Sequence, residues 1–518
     1  SAALLRYRAE QISSSEGSRD FNSDWLRHGG TAGHSVSGFR PALGFETERR
    51  DIHVGSGDSL ADGSFRFMQW SPSLRTDEMF GMKASAEVQL RTEDSVMTGT
   101  FRRAFTSMTQ LYTWQLLEWN DLSGSVTLSA RKTRFEKDFR LRGNVNSDVV
   151  MVRSQARYAP LRRVIQADVF YEFSNQRSAR LERVYVRVTK GEGNYRYLGD
   201  LNANTIADDS EFEPTRFDGD FIVLFLPGED LYPVASLKSS VRLRLHPSQM
   251  IDRTSFPGSI LAPVSTETYA RIDERSSDPR TDNIYFFRLG TFLNPTHTIS
   301  GSQIFTQDIH LYENEASFSA RFRFSQRRGL IQLVSSGEAS YSRERSLRVR
   351  TRLIPELGNE SEFVERMDRL LSPTIGPRDR DLAAYGLSSD FSYRPEREWE
   401  VGFRLKIETT TDRLRGDHAV ADMNEQSIRI VYAFLGKGQM RIEGSREEAI
   451  LSQPSIDEQK IYPFEFTQGR VFGKTYLWSA SFDYRVTQNI QLTVHYNGRT
   501  EGGRSPVHLA RAEAKAFF

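Results

Sequence analysis

The stretch Tyr476-Leu477-Trp478-Ser479-Ala480-Ser481-Phe482-Asp483-Tyr484, followed after a turn by Ile490-Gln491-Leu492-Thr493-Val494-His495-Tyr496, decides the fold class. Tyr476, Trp478, Ala480, Phe482 and Tyr484 form one apolar row, and Ile490, Leu492, Val494 and Tyr496 form the next. Ser479, Ser481, Asp483 and Arg485 share the other side with Gln491, Thr493, His495 and Asn497. A repeat of two is the signature of a strand, because successive side chains leave its backbone on opposite faces. With a turn near Thr487 to Asn489, the two rows predict a hairpin with one oily and one wet face.

The same alternation recurs outward from this hairpin. Ala316, Phe318, Ala320, Phe322 and Phe324 oppose Ser317, Ser319, Arg321, Arg323 and Ser325. Trp399, Val401, Phe403, Leu405 and Ile407 oppose Glu400, Arg404, Lys406 and Glu408, and Ile428, Ile430, Tyr432 and Phe434 oppose Arg429, Val431 and Ala433 less cleanly. A soluble sandwich also alternates. The placement of Tyr476, Tyr484 and Tyr496 near strand ends on the apolar face instead predicts an aromatic girdle, with small Ala mid-strand. The expected fold is therefore all-β, an antiparallel transmembrane β-barrel.

Short turns are expected at Gly436-Lys437-Gly438, Pro395 to Arg397 and Thr487 to Asn489. Long polar connections are expected at Pro355 to Arg380, Thr410 to Met423 and Ser452 to Thr467, and these would lie outside the cell. At roughly 20 residues per strand and connection, residues 236–518 supply about 14 strands, a count that can run higher. Residues 1–235 form a β-rich region, read as a sandwich, a plug or additional barrel strands. Met82, Ala84, Ala86, Val88 and Leu90 alternate there with Lys83, Ser85, Glu87 and Gln89, while Gly-rich segments and a polar block from Lys190 to Gly219 argue for separation.

Composition narrows the classes. Lys+Arg 69 against Asp+Glu 68 leaves a net charge of +1, so no global field attracts nucleic acid, and none is expected as a partner. With 0 Cys, disulfides, thiol nucleophiles and Cys-based zinc sites are excluded. The longest apolar run, Phe221 to Leu226, is far below the roughly 18 to 20 residues of a spanning helix. The opening Ser-Ala-Ala-Leu-Leu-Arg-Tyr-Arg lacks the features of a signal peptide, which leads us to expect a removed signal or a C-terminal piece of a longer protein.

The last strand alternates His508, Ala510, Ala512, Ala514, Ala516 and Phe518 against Arg511, Glu513 and Lys515. It resembles the terminal β-signal of Gram-negative outer-membrane β-barrel proteins, although Ala replaces the usual bulky residues. Tyr484 to Leu492 with Tyr496-Asn497-Gly498-Arg499 is similar to the closing strands of large uncharacterised barrels of Bacteroidota and related phyla. The resemblance implies a cell outer-membrane location, contact with its lipid, insertion by the barrel-assembly machinery through Phe518, and envelope or secreted proteins as partners. It identifies no activity.

Few constellations carry chemistry. Asp200 to Glu211 has the spacing of a twelve-residue calcium loop, with oxygens from Asp200, Asn202, Asn204, the Ile206 carbonyl, Asp208 and Glu211. Thr205 stands where Gly normally permits the turn, and an ordinary Asx-rich turn is the competing reading. Any Ca²⁺ there would be structural. The 9 His include no His-Glu-x-x-His pair, and Gly33-His34-Ser35-Val36-Ser37 fails as a nucleophile elbow. His495 and His508 are the only candidates for a barrel hydrolase, and Gly55 to Ser59 lacks the Lys of a phosphate loop. Arg321, Arg323, Arg343, Arg345, Arg348, Arg350 and Arg404 are expected to meet Glu400, Glu408, Glu443 and Asp483 on a lumen lining, open as a pore or filled as a salt-bridged core. The expected role is a non-catalytic membrane anchor or a transport or secretion conduit. The rivals are a soluble β-sandwich for adhesion or glycan binding and, second, a barrel hydrolase.

Overall fold

The computed structural model describes the chain except residues 1, 17–18, 55–58, 202, 206, 252–255, 257, 281, 335, 374–377, 417, 435, 456–461, 488 and 517–518. Residues 55–58 of the Gly55 to Ser59 stretch, the candidate ligands Asn202 and Ile206, and Phe518 therefore lie outside the described residues. Among the described residues no helix is long and apolar enough to cross a membrane.

Among the described residues, twenty-four strands belong to one sheet. They are β1 (Ala2–Glu16), β2 (Arg19–Gly33), β3 (Phe39–Val54), β4 (Phe65–Thr76), β5 (Met82–Met97), β6 (Thr100–Trp119), β7 (Leu122–Phe135), β8 (Ser147–Tyr158), β9 (Ile165–Arg187), β10 (Gly193–Tyr197), β11 (Phe212–Gly219) and β12 (Phe221–Leu245). There follow β13 (Val264–Ser276), β14 (Thr298–Leu311), β15 (Phe318–Gln332), β16 (Gly337–Ile354), β17 (Leu357–Leu371), β18 (Arg380–Tyr393), β19 (Trp399–Asp412), β20 (Ala419–Phe434), β21 (Gly438–Gln453), β22 (Gly473–Thr487), β23 (Ile490–Glu501) and β24 (Val507–Ala516). Each strand from β1 to β9, and from β13 to β24, pairs antiparallel with the next in sequence. β9 also pairs with β12, and the short β10 pairs with both β11 and β12. This meander of long antiparallel strands is the strand architecture of an outer-membrane barrel, and over the whole chain it is larger than the barrel of about 14 strands expected from residues 236–518.

Two compact units divide the chain. The first comprises Ser1–Ser178, Pro233–Arg242 and Ser277–Leu289, and the second Ala179–Tyr232, Leu243–Ser276 and Gly290–Phe518. Residue 235, where the β-rich region was expected to end, lies within β12.

In the first unit the hairpins close on tight turns. Thr98 and Gly99 have φ of 51° and 76°, and Asn120 and Asp121 have 48° and 62°. Two successive positive φ values match the right-handed twist of flanking strands, as in type I′ turns. Trp70, Leu90 and Met108 stand opposite one another across β4, β5 and β6, and all three are exposed. On the other face Arg91 bonds Glu93 and lies 3.7 Å from the centre of the Phe67 ring.

The second unit carries the clearest inversion of a soluble protein. Ile309, Phe322, Leu347, Phe363, Leu387 and Ile407 are directly opposite one another across β14 to β19. Every one of them is exposed, while Asp308, Glu408 and Glu447 are buried. At the short-turn end Trp399 and Tyr432 meet with tilted rings at 4.7 Å, Tyr432 meets Phe434 at 4.9 Å, and Phe434 meets Phe482 and Tyr484 at 5.7 Å. Tyr484 thus joins a girdle, whereas Tyr496 accepts the Trp478 indole N–H at 3.2 Å and meets His508.

Two of the three expected long connections are corrected by the strands themselves, while Ser452 to Thr467 falls almost wholly between β21 and β22. Pro355 to Arg380 contains all of β17, and Thr410 to Met423 is largely β19 and β20. Beyond the apolar belt both faces of a strand are polar, so the alternation that marks a strand disappears.

Candidate functional site: the polar face of the second unit

On β14 to β21 the residues between the apolar rows form a ladder of charge. Arg323 grips Asp308 through two bonds of 2.7 and 2.9 Å, Arg348 reaches Glu362 at 3.1 Å, and Arg350 reaches Glu360 at 2.8 Å. Arg404 pairs with Asp390 at 2.8 Å, Arg429 with Glu400 at 2.9 Å and Arg441 with Glu443 at 2.7 Å. Asp483 accepts the Thr493 hydroxyl at 2.9 Å. Each partner lies on the same or an adjacent strand, so the charges neutralise locally along the sheet. Exposed pairs of this kind contribute little each.

Two expected members are on the other face. Phe324 is directly opposite Arg345, and Gln326 opposite Arg343, so both arginines share the side of the apolar row. They pair with Glu365 at 3.2 Å. The physical reason is parity: in an uninterrupted stretch of strand, 343 and 345 cannot share a face with 348 and 350.

Residues 462–472, which precede β22, fold over this polar face. They carry Tyr462, Phe464 and Phe466, and the one-turn helix Phe464–Thr467 places Phe466, fully buried, against Leu382, Ala419 and Ala421. Tyr462 stacks on Phe466 at 4.8 Å. Gln468, with φ of 55°, donates to Glu408, which also receives Arg366 at 2.6 Å and Lys406 at 3.1 Å. Arg470 bonds Glu425 at 2.8 Å and Glu447 at 3.3 Å, and Glu447 in turn accepts two bonds from Arg216 on β11, of 2.7 and 3.1 Å. Side-chain exposure is 8% for Arg470 and 5% for Glu447, which makes this a buried network.

Between the segment and the sheet is a cavity of about 620 Å³, lined by residues that include Arg323, Glu344, Arg366, Glu408, Thr410 and Phe464. None of its segment-side wall was foreseen. The available signal was three aromatics in five positions, Tyr462 to Phe466, inside an otherwise polar connection.

The candidate calcium loop is organised by its own backbone. Asp200 accepts from the amides of Asn204 and Thr205 at 3.1 and 2.9 Å, and Asn204 donates to Asp208 at 2.8 Å. Glu211, fully buried, accepts from the amides of Leu201 and Asp208 at 2.9 and 3.2 Å. Thr205 takes the left-handed conformation, φ 63°, that its position normally gives to Gly. Among the described residues no cluster of three His, Cys, Asp or Glu is placed to hold a metal. Desolvation and the neighbouring Glu211 carboxylate raise the pKa of the Tyr197 phenol. Glu211→Ala strands two amides and is expected to cost about 1–3 kcal/mol locally. Faster proteolysis at residues 198–211 would report it, and unchanged cleavage would refute it.

His495 stands opposite Ser481 on the polar face, with no hydrogen bond between them. His508 bonds the Tyr496 hydroxyl at 2.9 Å on the apolar side.

No family model matches the chain, and no curated protein matches it. Solved structures do. The FrpB iron transporter from Neisseria meningitidis is similar at 8% identity and a TM-score of 0.39, over 96% of this chain and 80% of that one. The siderophore receptor PirA from Acinetobacter baumannii matches at 7% identity and 0.40, over 100% and 80%. The copper transporter OprC matches at 9% identity and 0.38, over 100% and 80%. The iron, siderophore and copper in those names belong to those proteins.

Proposed function

We propose that the chain is an outer-membrane β-barrel whose polar face lines a conduit for polar solutes, and that it carries out no catalytic chemistry of its own. The observation that carries this reading is the six-strand apolar row from Ile309 to Ile407, exposed throughout while the opposite face is ion-paired. A sandwich would bury such a row sheet on sheet. Water opposes its exposure, and hydrocarbon does not. Within the second unit, β13 to β24 alone form a consecutive meander of twelve strands, more than the roughly eight at which side chains just fill a barrel, which favours a conduit over a solid anchor. Membrane lipid is then the partner of the apolar rows. The barrel-assembly machinery is the partner of the last strand, and envelope or secreted proteins are partners at the rims.

Single-channel recording of the detergent-refolded chain in a planar bilayer tests the reading. Steady conductance steps are expected, larger when residues 463–470 are deleted. Stable insertion without conductance would overturn the conduit in favour of an anchor. Failure to insert would overturn the membrane location as well.

A further inference from the structure

We infer that the cavity between Glu344 and Phe464 binds a small cationic, hydroxyl-bearing solute of the amino-sugar class. Charge decides the first half. Glu344 on β16 stands opposite Arg366 on β17, yet Arg366 turns away to Glu408. The reason is that the Glu408 carboxylate is buried and needs several donors, while Glu344 faces open space. Among the described residues Glu344 makes neither an ion pair nor a hydrogen bond and interacts only at longer range with Arg323, whereas the carboxylates of Asp368, Glu408 and Glu465 along the same wall are each paired with Arg or Lys. A carboxylate so placed in a concave site selects an ammonium group.

The second half rests on Thr410. It is 1% exposed, lines the cavity, and its hydroxyl has no hydrogen-bond partner among the described residues. Leaving a buried hydroxyl unsatisfied is unfavourable unless something else completes it. Ser325 adds another hydroxyl to the same wall, and Phe464 supplies a ring against which a carbon skeleton packs. A cavity of about 620 Å³ accommodates a solute of one or two sugar rings.

This inference rests on the polar face being open to solutes, as proposed above. Calorimetry on the refolded full chain reads binding whether or not the bilayer conducts, so the two readings fail separately. Titration with glucosamine is expected to show saturable heat, with N-acetylglucosamine, which lacks the charge, at least about 10-fold weaker. Glu344→Gln should weaken glucosamine by a similar factor. Thr410→Val should weaken it several-fold without lowering the melting temperature, because a methyl group replaces an unpaired hydroxyl. Arg345→Gln, on the other face, should leave the affinity unchanged. No heat with glucosamine, equal binding of the acetylated sugar, or an unaffected Glu344→Gln variant would each overturn the site. Putrescine binding as tightly as glucosamine would overturn the sugar half of the assignment.

Discussion

Phe403→Arg is expected to lower the stability of the inserted chain by about 2–4 kcal/mol, while Thr409→Arg on the same row changes it by less than about 1 kcal/mol. Phe403 is the middle member of the row Trp399, Val401, Phe403, Leu405 and Ile407, and stands between Phe391 and Ile428 on the neighbouring strands. A guanidinium there sits deepest in hydrocarbon. Thr409 lies beyond the last apolar member and donates to Asp422 at 2.6 Å, so an arginine would find an acid within reach. Urea titration in lipid vesicles, followed by tryptophan fluorescence, measures the difference. In a soluble protein a phenylalanine already 38% exposed would tolerate arginine with little change. Equal stabilities for the two variants would therefore remove the membrane from the argument.

Glu447→Gln is expected to cost about 3–5 kcal/mol, the usual consequence of removing one partner from a buried ion pair. Glutamine keeps one acceptor oxygen but no charge, so Arg216 loses its ion pair and one of its two bonds, and Arg470 is left with Glu425, Gln468 and the Met423 sulfur. The loss should fall first on residues 462–472, because their attachment to β20 and β21 runs through Arg470 and the buried Phe466. Hydrogen exchange resolves this. Protection should drop in that segment before it drops in β20 or β21. A uniform drop across the sheet would mean that the network holds the strands and not the segment.

Much of the strand pattern was legible. The rows around Phe322, Phe403 and Phe482 alternate because each strand crosses an apolar belt on one face only. Outside the belt that contrast vanishes, which is why β17 hid inside an apparent connection: Asn359 and Ser361 share the face of Phe363, while Glu360 and Glu362 point the other way. The misplacement of Arg343 and Arg345 was avoidable, since counting residues along β16 separates them from Arg348 and Arg350. The contacts that shape the cavity were not recoverable locally. Arg216 and Glu447 are 231 residues apart, and Gln468 and Glu408 are 60 apart. Only the register of the whole sheet brings them together.

The end of the apolar row at Ile407 has a consequence for how the molecule can change. β19 continues to Asp412 and its partner β20 begins at Ala419, so about five residues of paired strand lie past the belt. At about 3.3 Å per residue and a tilt near 45°, that lifts the connections roughly 12 Å clear of the hydrocarbon. Insertions, deletions and drift in those connections never touch the surface that must enter the bilayer. Variation in what the molecule meets is thereby separated from the constraint of getting into the membrane at all.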